Sequence, residues 1–416
     1  MPLYDLLIQG GRVIDPSVGL DAVRDVAFAA GLVAAVGIGL SPSDAALTYD
    51  ATGKIVVSGL IDLMVHREGL TPIGAQPSPG VTTAASPGDA GAHIVGAAKA
   101  LPGNGIRWFH WINASKIGYT AWPHKVHPWM DYVDQAALTA ALVAHQNVAL
   151  GIKVLLGEVH TGHLPSSDDF VPLTRAIAAR AAAEAATGQA FRILVHTGGM
   201  RTPADIGTVV SVLRAGDIIA HSFAGYANSS GQATGLAQGF APIQAAYDAV
   251  AKGILLMNGR SGSMDWLTAV IVTATINHAT PGIRMNLLAA DWYTQAAGLT
   301  PPTPLLQVMS EYLALNTPSN VNFAAFANLP ALSPAIALDD VIRAATYTPA
   351  QIIGSRGPAG LGTLAIGAPG DAVVLSLDSG AFTFDDDLYG VPPYGTDGHR
   401  MTAVQRLTHV KTVAAG

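Results

Sequence analysis

Between residues 58 and 358, short apolar runs alternate with alanine-rich stretches, and this alternation limits the fold more than any other feature. Eight runs read as strands: LIDLMVH (60–66), VTTAAS (81–86), RWFHWINAS (107–115), GIKVLL (151–156), FRILVH (191–196), DIIAHSF (217–223), GILLMN (253–258) and MNLLAADWY (285–293). Segments such as DQAALTAALVAHQ, VPLTRAIAARAAAEAATG, PADIGTVVSVLRAG and FAPIQAAYDAVAKG read as helices between them. Strand–helix alternation argues for parallel β/α units, and eight of them fit a (β/α)8 TIM barrel. A doubly wound open sheet is the structural alternative. No GxGxxG follows the first strand, which weakens a dinucleotide-binding version of it.

The two ends have a different character. Residues 3–57 alternate in short runs broken by Gly-Gly and Asp-Pro, and GTLAIGAPGDAVVLSLD (362–378) and VQRLTHVKTVAAG (404–416) repeat the style. These are hairpin signals. The reading is one small β domain, residues 1–57 plus 359–416, flanking a barrel over 58–358. Two unrelated β appendages are the alternative.

Composition excludes several function classes. Of 416 residues, 50% are apolar and 12% charged, too apolar for an intrinsically disordered chain. The net charge is −7 and no Lys/Arg run offers a phosphate-binding stripe, so no nucleic-acid partner is expected. With no cysteine, thiolate zinc sites, disulfides and a Cys nucleophile are excluded. The longest apolar stretch, Val26 to Leu40, is shorter than the roughly 18–20 residues of a spanning helix and carries three glycines. The opening MPLYDLLIQGGRV has no basic segment ahead of an apolar core. The expectation is a soluble, cytoplasmic protein with no membrane partner.

Chemistry in such barrels sits where strands end. The polar residues there are His66, Thr83, Ser86, Asn113, Lys153, His196, His221, Asn258, Arg260 and Asp291. Histidines on three strands, joined by Lys and Asp, are a poor fit to core filler, because buried Lys and Asp are rare unless paired or metal-bound. Imidazole and carboxylate suit zinc.

The blocks YDLLIQGGRVIDP, IVVSGLIDLMVH, GVTT (80–83), GIKV around Lys153, LVHTGG around His196, GDIIAHSF around His221, the Asp291 strand end and GTLAIGAPGDAVVL together resemble the amidohydrolase superfamily. Within it they are most similar to dihydroorotase-like, deacetylase-type metallohydrolases. The resemblance runs from about residue 3 to 416 and implies a distorted (β/α)8 barrel with a β-sandwich made from both termini. It also implies a divalent metal site. By position, His66, Lys153, His196, His221 and Asp291 are its ligands, with Lys153 carbamylated so that its two oxygens hold metal.

Three departures stand out. The resemblance implies His-x-His on the first strand, and this chain reads Gly59-Leu60-Ile61-Asp62-Leu63-Met64-Val65-His66. Met64 is a soft, weak ligand, so one zinc per chain is expected rather than two. On the seventh strand, Arg260 stands at or near the place of a histidine. It reads either as a clamp on a substrate carboxylate or phosphate, or as a partner of Asp265. Glu68 stands where a dihydroorotase would carry a substrate-binding Arg, which argues against dihydroorotase itself. The third is the stretch 108–131, with Trp108, Trp111, Trp122, Trp129, His110, His124 and His127. It reads as an aromatic lid for a hydrophobic or aromatic substrate, or as the cover of a barrel end or subunit interface. His160 and His163 read as solvated loop histidines rather than metal ligands.

The leading expectation is a metal-dependent hydrolase of an amide, cyclic amide or ester bond in a small molecule. Asp291 is its catalytic general acid and base, and Asn113, Asn258, Arg260 and Trp111 bind substrate. One alternative is a lyase, isomerase or decarboxylase using a single metal or the Lys153 amine. Another is a non-catalytic amidohydrolase-like subunit. A homo-oligomer is expected by analogy with the family.

Overall fold

The computed structural model describes residues 2–67, 78–118, 133–157, 170–197, 205–222, 235–238, 241–259, 283, 285–291, 304–317, 335–386 and 399–414. The N-terminal segment forms β1 (Tyr4–Asp15), β2 (Leu20–Ala29), β3 (Leu32–Gly37), β4 (Ala45–Asp50) and β5 (Ile55–Ser58). The C-terminal segment adds the long antiparallel pair β16 (Ala372–Asp386) and β17 (His399–Val413). Together they make one seven-stranded ladder in the order β17-β16-β5-β1-β2-β3, with β4 beside β1. The two ends of the chain therefore share a sheet. Ile8, Val13, Val26, Phe28, Val33 and Val56 from one end pack with Leu364, Ala368 and Val374 from the other. Buried Asp15 ties them further, accepting from Thr363 Oγ1 (2.5 Å) and from the Leu364 N–H (2.8 Å).

The middle of the chain forms the barrel. Its strands are β6 (Leu60–Asp62), β7 (Val81–Ser86), β8 (Arg107–Asn113), β9 (Ala149–Leu156), β10 (Arg192–Thr197), β11 (Ile218–Ala220), β14 (Leu255–Gly259) and β15 (Leu287–Ala289). They lie in sequence order and every neighbouring pair is parallel. All eight coincide with the runs read from the sequence, and the distorted (β/α)8 barrel is the observed architecture. A short antiparallel pair, β12 (Ala237–Gln238) and β13 (Ala241–Pro242), sits outside it. Helices α1 (Val95–Lys99), α2 (Gln135–Ala144), α3 (Val171–Thr187), α4 (Asp205–Val212) and α5 (Gln244–Ala251) fall between successive strands. Helices α6 (Leu305–Ala314), α7 (Leu338–Ala345) and α8 (Tyr347–Ile353) follow the last strand. Local chemistry sets helix ends. The Asp134 side chain caps α2 by accepting the Ala137 N–H at 3.0 Å, and α3 stops at Gly188, whose φ of 69° an L side chain rarely adopts. No helix among the described residues is long and apolar enough to cross a membrane.

Both faces of the barrel strands are buried, which explains why they read as apolar runs without alternation. Ile61, Ala85, Phe109, Leu194, Ile218, Ala220, Met257, Leu287 and Ala289 form the interior with Ile352 and Ile353 of α8. Ile112, Ile152, Val154, Ile193, Val195, Ile219, Leu256 and Leu288 face the helices.

First and last strands meet through a side chain. Asp62, fully buried, accepts the Met64 N–H at 3.0 Å through Oδ1 and the Ala290 N–H at 3.2 Å through Oδ2. Burial pushes its carboxyl up to about 7 against those two donors. Asp62→Ala would strand both N–H groups without water. The expected cost is about 2–4 kcal/mol of unfolding free energy, measured by urea denaturation, with no comparable loss for a Leu→Ala-sized change on an exposed face.

Candidate functional site

Strand parity decides which polar side chains enter the barrel. On β9, Ile152 and Val154 face outward, so Lys153 between them faces in. On β10, His196 continues the inward row of Leu194. On β15, Leu287 and Ala289 face in, and Asp291 follows two residues after Ala289 in the same row. His221 breaks parity. It follows inward-facing Ala220 and would point out, but its backbone is left-handed (φ 49°), and its ring ends 4.6 Å from that of His196, edge to face. Asp291 shares the same φ of 49°. Only two other non-glycine residues among the described ones have positive φ, Ala30 and Asn104. Strain of this kind gathers at functional sites.

The structure thus brings together all five residues proposed as ligands, each at least nine-tenths buried: His66 (7% exposed), Lys153 (2%), His196 (7%), His221 (3%) and Asp291 (5%). His66 Nε2 lies 3.2 Å from Asp291 Oδ1, and His221 Nε2 lies 4.0 Å from Asp291 Oδ2. Burial alone would raise the Asp291 carboxyl, but His66, His221 and Lys153 outweigh it and hold it below the usual range. Burial works against the charged His66 ring too, yet Asp89 and Asp291 hold its pKa up at about 10. Lys153 is pulled down to about 8 by burial, against the attraction of Asp291 and Asp89.

Asp89 is the residue that the sequence reading missed. It lies three residues past β7, fully buried, with its carboxylate on His66 Nδ1 and on the Arg67 N–H, the latter at 2.6 Å. The available signal was an acidic residue in a small-residue loop, SPGDAG, at a strand end.

Several expectations need correction. Trp111 is no lid: it lies within β8 itself, 1% exposed, packed inside the barrel beside Met64 and Phe109. Trp108, in the same strand, lies under the Arg67 guanidinium, 4.4 Å from ring centroid to Cζ. Asn113 was assigned to substrate, but its amide spans the loop: Nδ2 donates to Gly88 O (2.8 Å) and Oδ1 accepts the Ser115 N–H (2.9 Å). His110, also in β8, is buried and pushed down to about 4 by burial and Arg67. Asn258 lies in β14, with its side chain outside the described residues, as are Arg260, Glu68, Trp122, Trp129, His124, His127, His160, His163 and Asp265.

Among the described residues, no three His, Asp or Glu side chains alone are gathered closely enough to cage a metal. The full donor set adds Lys153. Three imidazoles, a carboxylate and a buried lysine at this end of the barrel fit a divalent ion in the chemistry of their donors, since imidazole nitrogen and carboxylate oxygen are its ordinary ligands.

No family model matches the chain. A dihydroorotase of Trichlorobacter lovleyi is 58% identical over 62 residues, 15% of this chain and 15% of that protein. The chain thus spans under one sixth of the length of this curated relative. A crystal structure of an adenine deaminase superposes with a TM-score of 0.73 at 18% identity, covering 99% of this chain and 98% of the other. A dihydroorotase crystal structure gives 0.70 at 19% identity, covering 98% and 99%. The two solved structures share the fold of this chain, and the local match is to dihydroorotases. The shared arrangement of barrel and terminal sheet runs over almost the whole length.

Gly88 gives the site a sharp mutational handle. It has φ +94°, and a Cβ there would stand 2.8 Å from Lys153 Cβ and 2.9 Å from its Cγ. Gly88→Ala is expected to cost about 1–3 kcal/mol in backbone strain and overlap, read by thermal and urea unfolding. The Lys153 side chain should move in a crystal structure of the variant. An unchanged Lys153 would show that the loop yields instead.

Proposed function

We propose that this chain belongs to the amidohydrolase superfamily and is a metal-dependent hydrolase of a C–N bond, an amide or cyclic amide, or of an ester, in a small-molecule substrate. The observation that carries the reading is the convergence of Lys153, His196, His221 and Asp291 from four separate strands, all buried, with His221 and Asp291 in left-handed backbone. A barrel kept for stability alone has no use for that strain or for that many buried charges. The relatives named dihydroorotase and adenine deaminase support C–N chemistry of this general kind.

Lys153, His196, His221 and Asp291 would hold the ion, with His66 at its edge, and zinc at one per chain is the ion proposed. Bound there, it would polarise the scissile carbonyl and make water acidic enough to ionise near neutrality. Lys153 would take up CO2 as a carbamate, gaining two oxygens and a negative charge. Asp291, kept ionised by its neighbours, would accept the proton of the attacking water and return it to the leaving group. The buried interior floor of Trp111, Phe109 and Met64 excludes water from below. With Trp111 in that floor, the preference for an aromatic substrate rests on Trp122 and Trp129 alone. Non-hydrolytic chemistry is favoured by one observation, a Lys153 amine only 2% exposed inside the barrel, where burial lowers its pKa and suits it to Schiff-base formation.

The test is a panel of amides, cyclic amides and esters against metal-replete protein, with elemental analysis of the same sample. Asp291→Asn is expected to lower kcat by roughly 10²–10⁴-fold on whichever substrate turns over, with the fold intact by circular dichroism. No turnover on any of the three classes, or an Asp291→Asn variant as active as the parent, would refute the hydrolase. Trapping of a carbonyl substrate on Lys153 by borohydride would establish the Schiff-base reading.

A further inference from the structure

We propose that Asp89 is a positioning residue of this site. It holds the His66 ring with the Nδ1 proton on its own carboxylate, so that Nε2 is presented to Asp291 and to the ion. The inference rests on the metal reading above only for its second measurement.

The argument starts from donor and acceptor inventory. An ionised carboxylate only accepts hydrogen bonds, so the short contact between Asp89 Oδ1 and His66 Nδ1 requires the proton on Nδ1. The other oxygen is also used, accepting the Arg67 N–H at 2.6 Å. One side chain therefore fixes both the ring and the backbone just after it. With Nδ1 taken, the only nitrogen of His66 left for the site is Nε2; it lies 3.2 Å from Asp291 Oδ1, to which it donates until an ion takes the place of its proton.

Asp89 is itself held. Asn113 brackets it from the end of β8: its N–H donates to Ala90 O at 2.9 Å and its Nδ2 to Gly88 O at 2.8 Å. Asp89 is 0% exposed, so no water competes for either oxygen. This gives Asn113 its place in the molecule, as the anchor of the loop that carries Asp89. A charged group buried only to staple a loop is an expensive choice when a neutral Asn or Ser accepts an N–H equally well. The negative charge is explained by the imidazole it faces. Such outer carboxylates orient ligand histidines and raise their basicity.

Asp89→Asn is the decisive variant, because it keeps shape and removes the acceptor-only character. Its amide oxygen retains the Arg67 N–H, and its NH2 then faces His66 Nδ1, which must become an acceptor. Selective 15N-histidine labelling of the metal-free protein, with H66Q to assign the signals, reads the Nδ1 proton directly. The expected result is a wild-type ring protonated on both nitrogens, Nδ1 facing Asp89 and Nε2 facing Asp291, and a D89N ring that has lost the Nδ1 proton and keeps the one on Nε2. Zinc affinity by chelator competition is the second readout, expected to weaken by roughly 10–100-fold. If the proton stays on Nδ1 in D89N and zinc binds as in the wild type, Asp89 only pins the loop and the proposal falls, whatever the melting temperature does. If D89N fails to fold, the wild-type spectrum still decides, since an unprotonated His66 Nδ1 there overturns the assignment. Wild-type protein that binds no zinc would overturn the metal reading, and the Nδ1 measurement would still stand or fall by itself.

Discussion

A charge taken out of water must find a partner, and the mouth of this barrel holds seven buried ionisable side chains: Asp62, His66, Asp89, Lys153, His196, His221 and Asp291. Each unpaired ion in such a place costs several kcal/mol. The arrangement answers this by alternating signs. Asp89 and Asp291 flank His66 on its two nitrogens, and Asp291 also faces His221. Asp62 avoids the problem differently, by holding two backbone N–H groups with its carboxyl raised to about 7. These pairings fix the side chains before any substrate or ion arrives.

The barrel makes that concentration of charge affordable because the groups are spread over several strand ends and the rest of each strand supplies apolar contact. The interior below the mouth is filled by Ile61, Leu63, Met64, Phe109, Trp111, Leu194 and Met257. The outward rows are closed over by helices. Rigid strands carry Lys153 and His196 within their ladders, where backbone bonds to both neighbours set their height. His221 and Asp291 lie just past the ladders, where a left-handed residue is tolerated and can redirect a side chain.

Much of this was legible in the amino-acid order, and the limits have physical causes. Strand existence followed from apolar runs separated by helical composition, which is why all eight were found. The candidate ligand residues were visible because a polar residue at the end of an apolar run is conspicuous. What an all-apolar strand hides is which face looks inward, since both faces are buried and no alternation marks them. Trp111 was misplaced for that reason: only parity within β8 shows that it points into the barrel rather than over it. Asn113 was misjudged because its partners, Gly88 and Ser115, are fixed by loop geometry. Asp89 was invisible because its partner is 23 residues earlier in the chain, and only the pairing of β6 with β7 brings the two loops side by side.

Met64 shows how the sequence departure and the packing belong together. The resemblance implies a histidine there, and a second imidazole beside His66 would need a polar partner for each nitrogen. The structure has Met64 1% exposed, packed among Leu63, Phe109 and Trp111. A thioether is content in that setting, whereas an imidazole would face desolvation without compensation. The exchange removes a neutral donor and leaves the acidic groups in place, so the balance of charge at the mouth is unaltered. In the proposed site the donors are then Lys153, His196, His221 and Asp291, and His66 is left as the sole imidazole contributed by the first strand. A lone imidazole in that position has no neighbouring histidine to limit its rotation, and its orientation then depends on whatever grips its other nitrogen.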